Sequence, residues 1–412
     1  MKKVISITLI LAILLMIVAY VANQDVVETP LEEVEVHETE VLVQGQDHKD
    51  DENNISVEES SDLIVRAAPQ GVHTTLPALW LNLETPWDEE NFADVAVPLY
   101  LSDDTPYGAL AIQHIQYMND NLYGRKPFSY REKEAATWLV ETLLAMGHPW
   151  ENICVQEFPV DHQGRWNTLM NSSGFRSDFA FRYTTQLSQN IVLTIPGQSE
   201  RKIIVGAHYD SYPTPGASDN ASGVGLLLES AQRMQYVDHY YTIVYVFFGA
   251  EEVGLQGSLY FADNLTEEQS DQIVMMINAD VLFEGPYLFY SATYNDNYQA
   301  GSNALTRQVD DIADSLDLGL IPYPEVAFVV STDHQPFLMR GYTIVNLMGL
   351  YRVNYPHVVG IFRMGEDVFL GRVLHSQNDC FHIIEERWPG KIETNMNVFS
   401  IFLEEMLLMD SD

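Results

Sequence analysis

The chain has 412 residues, 46% of them hydrophobic, enough for one large core or two modest domains. Acidic residues outnumber basic ones 59 to 21, for a formal charge of −38; such a surface repels nucleic acid and anionic lipid and excludes a DNA- or RNA-binding role. With only Cys154 and Cys380 there is no disulfide framework, and two separate thiols are expected.

Met1 to Lys3 give a positive start, and residues 4–22 carry no charge, close to the ~20 residues a helix needs to span a bilayer. Small-x-small cleavage sites are poorly formed near Ala19 and Ala22, so residues 1–22 read as a membrane anchor in preference to a cleaved signal peptide. Either way the chain is exported to a periplasmic or extracellular face, with membrane contact only through this segment. Residues 23–66 are acidic and almost without aromatics. They are expected to be a disordered spacer, with too little to bury to offset their ordering entropy. Residues 67–412 are then the globular domain. Asn54-Ile-Ser56 and Asn220-Ala-Ser222 read as chance matches to the glycosylation acceptor pattern.

Residues 67–107 show no period. Residues 109–122 are helical in pattern, and Ala135, Leu139, Leu143 and Met146 make the apolar stripe of a second helix stopped by Gly147. Apolar runs at 153–158, 190–195, 203–207, 242–248 and 273–279 read as buried strands, with a helix-like run through Leu226, Leu227 and Leu228. Further on, 302–316 and 391–409 are helical, and 327–330 and 343–347 are short strands. The order implies an α/β fold, a single globular domain with a largely parallel mixed central sheet flanked by helices.

Chemistry gathers at strand ends. His208 closes the 203–207 run, and Asp210, two residues on, shares its face if the chain stays extended. That suits a carboxylate steadying a metal-binding histidine. Taken alone, His208 reads equally as a hydrogen-bonded histidine and Asp219, where loop becomes helix, as a cap. Glu251 and Glu252 follow the 242–248 strand, and Asp280 follows 273–279. In a parallel sheet these ends share one edge, where ligands bind. So many acidic groups there would be costly without a cation. With His375, from the aperiodic LHSQNDCFH, the set of His208, Asp219, Glu252 and Asp280 has the ligand types zinc prefers in hydrolases. Asp219 is placed to be shared between two ions ~3.5–4 Å apart. One of the paired glutamates can ligate while the other faces a metal-bound water as general base.

The motifs AHYDS, GASDNASGVG, GAEEVGLQGS, INAD, STDHQPFLMRG and HSQND, in this order, resemble the two-zinc aminopeptidases of peptidase family M28. The likeness runs from about Tyr107 to the C-terminus and includes GRKPFSYREKEAATWLVETLLAMG as the lead-in helix. It implies two Zn2+, with His208 and Asp280 on one, Glu252 and His375 on the other, and Asp219 bridging. It implies Glu251 as general acid/base, Asp210 orienting His208, Asp379 supporting the His375 loop, and Asp333 and His334 shaping the site from behind. The implied reaction is attack of a zinc-held hydroxide on the first peptide bond of a peptide with a free N-terminus. One departure concerns the tyrosine some members place before the STDH segment; here Phe328, Val329 and Val330 stand there. Tyr209, Tyr212 and Tyr351 are substitutes on position alone. The competing readings are a non-catalytic receptor-like ectodomain, a single-zinc glutaminyl cyclase, and a carboxypeptidase or dipeptidase using Arg340, Arg352, Arg363 or Arg372 for a substrate carboxylate.

Overall fold

The computed structural model describes residues 87–98, 104–160, 185–296, 299–322, 332–350 and 373–409. The expected anchor, the spacer with Asn54, most of 67–107, the strand at 327–330, Tyr351, Arg352, Arg363 and Arg372 lie outside the described residues. Among the described residues, no helix is long and apolar enough to cross a membrane.

Helices α1 (Ala109–Asn121) and α2 (Tyr130–Ala145) form where the sequence pattern puts them. Ser129 caps α2 by accepting the Glu132 amide. The expected stripe is buried, and Gly147 ends the helix at a φ of 92°.

The strands are β1 (Ile153–Pro159), β2 (Leu187–Ile195), β3 (Ser199–His208), β4 (Tyr241–Phe248), β5 (Ile273–Ala279), β6 (Tyr287–Asp296), β7 (Gln299–Gly301), β8 (Ile321–Pro322) and β9 (Thr343–Leu350). They form one sheet in the order 1-2-4-3-5-9-6-7, with β8 beside β6. The short β8 pairs parallel with β6, and the central strands β4, β3, β5 and β9 run parallel to one another. β1 and β2 flank them antiparallel on one side, β6 and β7 on the other. The sheet is thus mixed, with the expected parallel arrangement at its centre and antiparallel strands on both sides. β2 reaches β3 through residues 196–198, and β6 reaches β7 through residues 297–298. Connections so short cannot make a crossover, so the chain reverses direction.

Helix α3 (Ser222–Met234) carries the crossover from β3 to β4; α4 (Gln256–Asp263) and α5 (Glu267–Asp271) lie between β4 and β5. Alternate β3 residues serve two cores. Ile203, Val205 and Ala207 pack with Ile115, Leu227 and Phe402, from α1, α3 and the closing helix. Ile204 packs with Phe248, Phe261 and Phe337 on the opposite face. The remaining helices are α6 (Ala304–Leu316), α7 (Gln335–Leu338), α8 (Phe381–Arg387) and the closing α9 (Lys391–Leu407). Cys154 and Cys380 are buried and unbridged.

Candidate metal centre

The parallel register aligns His208 with Phe248 and Gly206 with Asn278, so the carboxyl ends of β3, β4 and β5 sit at one edge. His208 is the last residue of β3. After β4 the chain turns through Ala250 at a φ of 55° into a short 3-10 turn, Glu251–Val253. Asp280 directly follows β5. Asp219 enters from the Ala217–Ala221 turn ahead of α3, where Asp219 and Asn220 have non-helical φ/ψ. Gly223 lets α3 press on the end of β5, because a Cβ there would lie 2.4 Å from the Ala279 carbonyl oxygen. His375 has a φ of 54° and stacks on Tyr212, with ring centroids 3.8 Å apart.

These elements bring all five sequence-identified donors together. His208 Nε2 lies 3.2 Å from Asp219 Oδ1 and 3.3 Å from Asp280 Oδ1. His375 Nε2 lies 3.0 Å from Asp219 Oδ2 and 3.1 Å from Glu252 Oε2. Within each of two groups, His208–Asp219–Asp280 and Asp219–Glu252–His375, the donor atoms lie within 4.8 Å of one another. Asp219 belongs to both and turns one oxygen to each imidazole.

Neighbouring residues hold this arrangement. Asp210 Oδ1 is 3.5 Å from His208 Nδ1, and the Asp210 carboxylate also accepts the amides of Glu251 (3.0 Å) and Glu252 (3.2 Å). It therefore ties the glutamate turn to β3 as well as facing His208. Asp379 was expected to serve its own loop. Its amide donates to the Ser376 carbonyl at 3.1 Å within that loop, and its carboxylate also reaches across to accept the amides of Ser218 (2.6 Å) and Asp219 (3.0 Å). The buried Asn220 side chain donates to the Ala279 carbonyl at 2.9 Å. Asp333 and His334 are fully buried. The residue before them, Thr332, donates to Asp280 Oδ2 at 2.5 Å.

Three residues were not singled out from sequence as part of the site: Thr332, Arg125 and Glu132. Buried Glu132 accepts the Ala250 amide at 2.9 Å, just ahead of the glutamate pair. Glu132 stands three residues beyond Ser129, a capping-box spacing that marks a helix start and gives no hint of a reach to β4. Tyr209 is spent elsewhere, donating to the Gln189 carbonyl at 2.8 Å. The Tyr212 amide donates to Glu252 Oε1 at 3.2 Å. Arg340 pairs with Asp263.

The electrostatics are those of crowded carboxylates. Burial, then Asp219, pushes Glu252 up to about 8, with the two imidazoles opposing. Burial also holds Glu251 well above the carboxylate range; His208 opposes, while Glu252, Asp333 and Asp280 add to the rise. Burial disfavours charge on His375, but Glu252 and Asp219 outweigh it and lift the ring to about 11. His208 is likewise raised against its burial by Asp280 and Glu251. Asp219 is lowered despite burial because it hydrogen-bonds both imidazoles. In such a cluster protons occupy positions that a divalent cation would fill with better charge compensation. Two imidazoles and three carboxylates, with one carboxylate common, fit that role.

The fold and donor cluster define an α/β protein with a candidate co-catalytic metal centre. A family model for peptidase family M28 matches residues 190–399, just over half the chain, and the chain belongs to that family. It is 31% identical over 170 residues to Aminopeptidase YwaD of Bacillus subtilis, covering 40% of this chain and 36% of that protein. It is 30% identical over 141 residues to Aminopeptidase Y of Saccharomyces cerevisiae, covering 33% and 26%. These alignments thus span 36% of the one relative and 26% of the other. Among solved structures, BSAP, a zinc aminopeptidase from Bacillus subtilis, superposes with a TM-score of 0.56 at 17% identity, over 76% of this chain and 98% of that one. Porphyromonas gingivalis glutaminyl cyclase superposes with a TM-score of 0.53 at 20% identity, over 74% and 98%. At these identities the likeness is one of fold.

Proposed function

We propose that this chain is an exported zinc aminopeptidase that removes N-terminal residues from peptides. The observation that carries this reading is the division of Asp219, one oxygen facing each of two imidazole-bearing donor groups. His208, Asp219 and Asp280 would hold one zinc, and Asp219, Glu252 and His375 the other. Zinc bound there polarises the scissile carbonyl and lowers the pKa of nearby water.

The chain's own residues do the rest. Glu251, tethered through its amide to Asp210, is the general base that takes the proton of the attacking water and returns it to the leaving amine. The surrounding carboxylates attract the protonated α-amine of a substrate and disfavour a buried substrate carboxylate, which suits an exopeptidase acting at the N-terminus. Export rests on the uncharged run at residues 4–22 behind Lys2 and Lys3.

The test is zinc analysis of the purified protein together with hydrolysis of free and N-acetylated peptides. About two zinc ions per chain, with cleavage abolished by N-acetylation, is the expected result. One zinc with cyclisation of N-terminal glutamine would move the assignment to glutaminyl cyclase, a reading kept in view by the fold neighbours. Release of residues from the carboxyl end would move it to a carboxypeptidase.

A further inference from the structure

Arg125 is fully buried, with 0% exposure, in the loop that leads into α2. The charges of Asp379, Asp210, Asp219 and Glu252 all act on it, yet its guanidinium donates to four backbone carbonyls instead of to a carboxylate. Nε donates to Tyr209 at 2.7 Å, Nη1 to Leu122 at 3.0 Å and Pro215 at 2.9 Å, and Nη2 to Gly216 at 3.0 Å. Its main chain joins in: the Ser211 amide donates to the Arg125 carbonyl at 3.0 Å. The Gly124 amide donates to the Thr214 carbonyl at 3.0 Å, and the Ala221 amide to Gly216 at 3.0 Å.

Residues 209–216 are therefore wrapped around one guanidinium, and they are the link between His208 at the end of β3 and the turn that presents Asp219. The path of this link sets how far Asp219 stands from His208, which is 3.2 Å between the facing donor atoms. Planar donors pointing in several fixed directions can hold carbonyls from separate segments; the single point of a lysine ammonium cannot. The fixed positive charge also lies among carboxylates that repel one another.

We propose that Arg125 is a positioning residue of the metal centre: its guanidinium shapes residues 209–216 so that His208 and Asp219 share a cation. This rests on the zinc reading above, and wild-type zinc binding is measured first. A wild-type chain that takes up no zinc refutes that reading, whereas the comparison of variants bears on Arg125 alone.

The experiment measures zinc affinity by chelator competition, and zinc-free Tm, for wild type, Arg125→Lys and Glu229→Gln. Glu229 is a buried carboxylate paired with Arg233 at 2.9 Å, outside the metal centre. Arg125→Lys should weaken zinc binding about 10- to 100-fold, as expected for a residue that orients ligands. Glu229→Gln should lower the zinc-free Tm while leaving zinc affinity within about twofold, as for an independent site. Equal zinc affinity in Arg125→Lys and wild type overturns the proposal, as does an equal loss in Glu229→Gln. If Arg125→Lys does not fold, Arg125→Gln, which keeps a planar donor but not the several directions of the guanidinium, carries the test. The same loss of affinity is expected, and unchanged affinity overturns the proposal.

Discussion

Glu251 and Glu252 are adjacent, yet the left-handed step at Ala250 and the 3-10 turn give them different surroundings. Asp210 holds both amides, but the Glu252 carboxylate faces His375, and in the proposed mechanism the Glu251 carboxylate is the one left for proton transfer. Glu251→Gln keeps the shape and removes the base. It should retain its full zinc content while kcat falls about 10²- to 10⁴-fold, read by metal analysis alongside peptide hydrolysis. Thr332→Val removes the hydroxyl that fixes Asp280 and should weaken zinc binding by about tenfold or more, measured by chelator competition. The five donors were legible in the sequence because four of them lie at or just beyond strand ends or a loop–helix junction, within ordered motifs. Thr332 and Arg125 were not, because a hydroxyl or guanidinium in an aperiodic segment leaves no hydrophobic pattern to read. The reach of Asp379 toward Asp219 was hidden for another reason: it spans 160 positions of sequence.

Among elements, the start of α1 shows a helix end completed from elsewhere in the chain. The carboxylate of Glu229 on α3 accepts the amides of Gly108 (2.8 Å), Leu110 (3.0 Å) and Ala111 (2.9 Å) and also pairs with Arg233. It satisfies orphan donors at a positive helix end while balancing a buried cation. Glu229→Ala should cost about 3–5 kcal/mol, because an uncompensated buried charge remains; a urea unfolding curve measures this. The long helices and central strands were readable because their apolar residues recur at a helical period or in unbroken buried runs. β6 was not. Leu288 and Tyr290 pack in the large core while Phe289 packs in a separate cluster with Met348, so both faces are apolar and the alternation of a half-buried strand vanishes. The short helices α4, α5 and α8 carry too few turns for a period to register.

For the whole molecule, the raised groups of the metal centre set a pH dependence. Glu252, lifted from 4.5 to about 8, and His375, lifted from 6.5 to about 11, each favour the protonated form in the metal-free fold. Their stabilisation is complete below the unfolded values and is lost as pH rises through the folded ones. His114 and His148, lowered by burial to about 3 and 4, act in the opposite sense, and only as pH falls below about 6.5. Between pH about 7 and 9 the metal-free protein should therefore lose stability, while zinc, which takes the same donors without their protons, should hold it. The zinc-induced rise in Tm is expected to grow across that range in a fluorimetric melt; a constant increment would contradict this account. The reach of Asp379 has a separate consequence. It lies four residues from His375 and accepts the amides that present Asp219, so it ties the His375 loop to the carboxylate that both proposed cation seats would share. An ion arriving first would prepay the ordering of the second seat, and loading should be cooperative, with singly occupied molecules scarce throughout a zinc titration.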